Sequence, residues 1–164
     1  MRTIFLAALL STQTALAGGI AVVDFNKAGS LVKDGNRIQA ELRELQTSRE
    51  ARIKEMEAQI MGMRADYEKN AMVYVGDVKK QKEAEIMAAT QEFQQAVVAA
   101  QQEMAQAYET KAASLFEKLR VVSEKIGKEK GYDLILEVSQ GGVVYSGSSD
   151  DITAELVTRY DAGN

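Results

Sequence analysis

Two long stretches of the chain place apolar residues every third or fourth position, and shorter stretches near either end cluster them side by side. From Asn36 onward the apolar row is Ile38, Leu42, Leu45, Ile53, Met56, Ile60, Met63 and Tyr67, with even spacing once Arg49 is given a place in it. One narrow stripe of that period predicts a helix with a single buried seam. The steps through Leu42, Leu45, Arg49 and Ile53 run three, four and four, a stutter that relaxes left-handed supercoiling toward straight helices. A second stripe runs through Ile86, Ala89, Phe93, Val97, Ala100, Met104, Tyr108, Leu115, Leu119, Val122 and Ile126. Alanine is frequent from Ala96 to Ala113, which keeps helix propensity high and lets two helix axes approach closely.

Two single-striped helices in succession each need a covering face, and each supplies the other's if the chain reverses between them. The reversal is expected near Tyr74 to Asp77. Met72, Val73, Tyr74 and Val75 favour strand over helix, Gly76 follows, and Asp77 is placed to cap the next helix. Asn36 to Val73 would then span roughly 55 to 60 Å at about 1.5 Å per residue.

Outside the stripes the period changes. Ile20 to Phe25 (IAVVDF) reads as a buried strand, followed by a brief helical turn holding Ser30 to Val32 and a break or cap at Asp34, Gly35 and Asn36. Beyond Gly131, Asp133 to Val138 (DLILEV) and Val143 to Ser146 (VVYS) flank a glycine-containing loop and read as a β-hairpin, in which Tyr132 and Tyr145 would pack. Ser148 to Asp151 offer caps for a short last helix with Ile152, Leu156 and Tyr160 on one face. The expected architecture is mainly α with a small β body. A long antiparallel helical hairpin (36–127, tip near 72–77) would project from a short-stranded oligomerisation domain formed by 18–35 and 128–164.

Three short strands and one small helix make little core, yet the strands are apolar on both faces, which calls for more cover than one chain supplies. Joining several bodies would provide it and hide the sheet edges. The expected contact residues between copies are Ile20, Val22, Leu134, Leu136, Val138 and Val144.

Composition narrows the chemistry. Among 164 residues there is no Cys, no His and no Pro. The common zinc ligand sets, thiol nucleophiles, imidazole acid/base pairs and disulfides are therefore missing, and nothing forces a long helix to kink. Glu41, Glu44, Glu55 and Glu57 lie among Arg37, Arg43, Arg52 and Lys54, the pattern of a solvated helix face rather than of a catalytic carboxylate pair. No GxxxxGK[ST] or GxGxxG phosphate cradle occurs, no cofactor or metal is expected, and a net charge of −4 argues against nucleic acid as a partner. Arg2, the apolar run Ile4 to Leu10 and the small-x-small triplet Ala15, Leu16, Ala17 read as a cleaved signal peptide (1–17), placing the mature chain outside the cytoplasm.

Taken in order, IAVVDF at 20–25, DGNRIQAEL at 34–42 and KGYDLILEVSQGGVVYSGSSDDIT at 130–153 resemble the Skp/OmpH family of periplasmic chaperones over essentially the whole mature chain. The resemblance implies a trimer whose strands intertwine into a body, with three arms caging unfolded outer-membrane proteins without nucleotide. The tip here mixes Lys69, Lys79, Lys80 and Lys82 with Asp66, Glu68, Asp77, Glu83 and Glu85, unlike the basic arms of the family's best-known member, so contact with membrane or lipopolysaccharide is left open. Apart from Met1, every methionine lies between Met56 and Met104, and this flexible, polarisable side chain suits promiscuous contact. Met56, Met63 and Met104 belong to the stripes. Met61, Met72, Val73, Tyr74, Val75 and Met87 are the candidate client contacts. An alternative with the same fold is a structural coiled-coil scaffold of the cell envelope.

Overall fold

The computed structural model describes residues 18–163, so the expected signal peptide and its cleavage after Ala17 lie outside the described residues. The elements run β1 (Ile20–Val23), α1 (Phe25–Leu31), α2 (Lys33–Lys69), α3 (Gly76–Lys130), β2 (Leu134–Glu137), β3 (Asp150–Asp151) and α4 (Thr153–Asp161). The long helices α2 and α3, of 37 and 55 residues, form the expected antiparallel hairpin. At about 1.5 Å per residue α2 is roughly 55 Å long and α3 roughly 80 Å, so α3 outruns its partner and its last third enters the body.

β1 is the central strand, in the order β2-β1-β3, and both neighbours lie parallel to it. That corrects the expected hairpin: 133–138 pairs with the first strand, and 143–146 forms no strand at all. After β2 the Glu137 carboxylate accepts hydrogen bonds from the Ser139 and Gln140 amides. Gly141 and Gly142 then take φ of 82° and 109°, a backbone open to glycine, and steer the chain away from the β2 edge. Local pattern marked 133–138 as strand-forming but could not choose its partner, and it misread 143–146, which is loop. Tyr145, expected to pack in the body, is exposed in this loop.

One face of the sheet, carrying Ala21, Val23 and Ile135, packs on Ala28, Val32, Leu115, Leu119, Val122, Ile126, Ile152 and Leu156. α3 lies so close to the sheet that a Cβ on Gly127 would come within 2.9 Å of Ile135 Cδ1. Asp24 joins strand to helices: its carboxylate caps α1 by accepting from the Lys27 amide (2.8 Å), and its own amide donates to Thr153 Oγ1 (3.0 Å) at the start of α4. Asp151 accepts from the Thr153 amide, while the N-cap position of α4 falls on Ile152, just past the expected segment.

The helix break falls at Val32 rather than at Asp34–Asn36, which form the first turn of α2. Gly35 is needed there for proximity rather than for a turn, because any Cβ would run into the Gly29 carbonyl of α1. No side chain of its own caps α2. Instead Asp161, at the end of α4, accepts a hydrogen bond from the Lys33 amide (3.0 Å).

Candidate functional site

The arm is held by a seam and by a row of ion pairs. Every expected seam position of α2, including Arg49, is half-buried or buried, with Ile60 the most enclosed. On α3 the seam follows the predicted row to Met104, then passes through Ala107 and Lys111 instead of Tyr108, which is 66% exposed. The cause is electrostatic as well as steric. Lys111 reaches across to Glu41 (2.5 Å), and small Ala107 lets the helices stay close.

Three ion pairs link α2 to α3: Asp34 to Lys118 (3.2 Å), Glu41 to Lys111 (2.5 Å) and Arg49 to Glu103, the last bidentate with both contacts at 2.7 Å. The members of each pair stand equally far on either side of Gly76. Steps of seven and eight residues keep the three pairs along one flank of the hairpin. Their polarity reverses at Arg49, so sliding α2 by eight residues would set Arg49 against Lys111. The row therefore specifies register by penalising a slip, although each pair is partly in water and worth little alone.

At the arm root Asp34 receives the Tyr160 hydroxyl (2.9 Å), Arg37 (3.1 Å) and Lys118 (3.2 Å), tying α2, α3 and α4 together. These donors, Tyr160 foremost, hold the Asp34 carboxyl at about 2. Burial, with the facing carboxylate, pushes the Tyr160 phenol up. Glu41 and Glu103 are likewise lowered, by Lys111 and by Arg49 respectively.

The chain reverses at Asn70–Val75, slightly earlier than expected. The Asn70 carbonyl accepts from the Val73 and Tyr74 amides (2.8 and 2.9 Å), and Gly76 opens α3 with φ of 57°. Asp77 makes no side-chain cap and sits within the first turn. Tyr74 is half-buried, with its hydroxyl on Asp66 (2.8 Å) and its ring near Tyr67. Met72 (98% exposed), Val73 and Val75 stand in water. Met61 and Met87 are exposed farther along the arm, apart from the turn.

Of the expected contacts between copies, Ile20, Val22, Leu134 and Leu136 share the sheet face that turns away from the core. Ile20 is 49% and Leu134 47% exposed, while Val22 is nearly covered. Val138 donates its amide to Val23 and is half-buried. Val144 lies elsewhere, fully exposed in the loop.

Two kinds of groove flank the seam at mid-arm. On the ion-paired side a small groove of about 240 Å³ runs beside Arg52, Ala99 and Glu103. Opposite it lies a groove of about 720 Å³, floored by Ile53, Val97 and Met104. Sequence reading placed the floor residues in the seam but gave no sign that one side stays open. Among the described residues no cluster of acidic groups is arranged to hold a metal ion, and no helix is long and apolar enough to cross a membrane.

The sequence profile described as outer membrane protein (OmpH-like) matches residues 19–160. The fold is similar to the crystal structure of a protein from Caulobacter crescentus described as an OmpH-like outer membrane chaperone, with a TM-score of 0.81 at 15% identity, covering 100% of this chain and 91% of that one. No curated protein sequence matches the chain.

Proposed function

The chain belongs to the OmpH-like family of outer membrane proteins, and from that premise we propose that it is a non-enzymatic, ATP-independent periplasmic holdase that binds unfolded outer-membrane proteins and prevents their aggregation. The observation that carries this reading is the arm. It is a hairpin with no core beyond one seam, and it keeps Met61, Met72, Val73, Val75 and Met87 in water away from the body. Exposed flexible apolar groups on such an extended element suit weak contact with many unrelated apolar segments. Total affinity would come from several arms acting together.

Several arms require several copies, and the body supports that. On the outward sheet face Ile20 and Leu134 are about half exposed, and β2 forms one end of the sheet. A homo-oligomer, a trimer by family resemblance, would cover that face, with the exposed Val144 segment of a neighbour as a further contact. Export with cleavage after Ala17 would deliver the chain to the periplasm.

Light scattering tests the reading. A urea-denatured outer-membrane β-barrel protein is diluted into buffer with and without the purified protein, in the absence of nucleotide. Suppressed scattering is the expected result. Unchanged scattering would instead favour a structural scaffold of the envelope that uses the hairpin as a spacer.

A further inference from the structure

The two flanks of the arm differ at the same level, and the difference points to an occupant. On one flank the Arg49–Glu103 pair closes over the seam. On the other, among the described residues, no ion pair crosses between the helices, and the apolar floor of Ile53, Val97 and Met104 is open over about 720 Å³. That volume lies in the range of clefts that accept ligand-sized groups. Its rim carries Glu50, Lys54 and Glu57 from α2. Neither Lys54 nor Glu57 forms an ion pair among the described residues, and Glu50 is bonded only to the neutral amide of Gln46 (2.8 Å). The α3 wall adds no cation, because there is no Lys or Arg between Lys82 and Lys111. Arg49 also lines this groove, but its guanidinium is engaged by Glu103 of α3, so the unpaired rim charges are two carboxylates against one ammonium and the opening is weakly acidic.

Resting on the holdase reading, we propose that this mid-arm groove is a client site that takes extended apolar polypeptide segments bearing basic rather than acidic residues. Ile53, Val97 and Met104 receive the apolar side chains, with the methionine adapting its shape. Glu50 and Glu57 attract Lys or Arg on the bound segment and repel Asp or Glu. Met61 and Met87 extend the same flank toward the turn, seven residues beyond Lys54 and fourteen before Gln101 respectively, so a longer segment continues onto exposed methionine.

The test combines position and charge. A photo-crosslinking residue is placed at Gln101 on the open flank, at Ala99 on the closed flank or at Met72 in the turn, and each protein is offered the same diluted β-barrel client. Crosslinking dominated by position 101 is expected. Equal yield from 99, or yield dominated by 72, overturns the groove while leaving the holdase reading intact if scattering is still suppressed. No crosslinks anywhere together with unchanged scattering overturns both. In parallel, anisotropy compares two labelled peptides of alternating valine and serine, one carrying three lysines and one three glutamates. The lysine peptide should bind at least about threefold tighter, the scale of a few exposed charge contacts. Glu50→Lys combined with Glu57→Lys should reverse that order, and an unchanged order in this variant, with circular dichroism as in the parent, would rule out the acidic rim as the selector.

Discussion

α3 is one helix in two environments. From Leu115 to Ile126 its seam side chains, Leu119 and Ile126 among them, are enclosed by the sheet, α1 and α4. From Ile86 to Met104 the same three-and-four spacing yields seam residues that are only half-buried, because a single helix covers them. Periodicity thus fixes which side faces inward, while the number of neighbouring elements decides how much each inward residue contributes.

The largest expected contrast is between equivalent truncations. Leu119→Ala should destabilise the protein by about 2–5 kcal/mol through a cavity in the body. Val97→Ala should stay within about 1 kcal/mol, since alanine's helix propensity offsets much of the lost contact. Urea unfolding followed by circular dichroism measures both, and equal losses would show that the arm is as tightly enclosed as the body.

A second contrast lies within α2. Gly35→Ala forces a Cβ onto the Gly29 carbonyl and should cost about 1–3 kcal/mol. Gly62→Ala meets nothing within 4 Å and should gain about 0.5–1 kcal/mol. Thermal unfolding should therefore shift in opposite directions for the same chemical change.

At the arm root, Asp34→Asn should cost about 1–2 kcal/mol by removing charge-assisted bonds from Tyr160, Arg37 and Lys118. Because the Asp34 pKa is lowered on folding, its stabilisation is present above the ordinary carboxylate value of about 4 and is lost as pH falls toward about 2. The Asn variant should flatten that part of the stability profile. The smallest effect is expected in the arm: Arg49→Glu should destabilise only slightly, with much of the loss recovered by adding Glu103→Arg. Amide hydrogen exchange near position 49 would register both changes.

The two stripes were legible almost residue by residue, including the polar Arg49, because a helix buries a fixed angular sector whatever its sequence. Tyr108 was misplaced for a physical reason: apolarity ranks it above Ala107 and Lys111, but the seam selects for close approach and for a cation facing Glu41. The ion-pair row was also readable in principle, by folding the sequence about Gly76 and asking which opposite charges meet. The parallel sheet was not. The runs at 133–138 and 143–146 read as neighbouring strands, whereas 143–146 is loop and the amide of Val138 reaches the carbonyl of Val23, on a partner separated by the entire hairpin. Of the candidate contacts, spacing identified Met61 and Met87 as outside the seam, but the openness of one flank depends on where Glu103 lands, which only the paired helices reveal.

The unbroken run of α3 makes it a lever. Measured from Leu115, where the enclosing neighbours begin, about 58 Å of rod leads to Gly76. A tilt of about 5° at that fulcrum would sweep the far end through about 5 Å, so a small slackening around Asp34 is magnified into a wide change in reach.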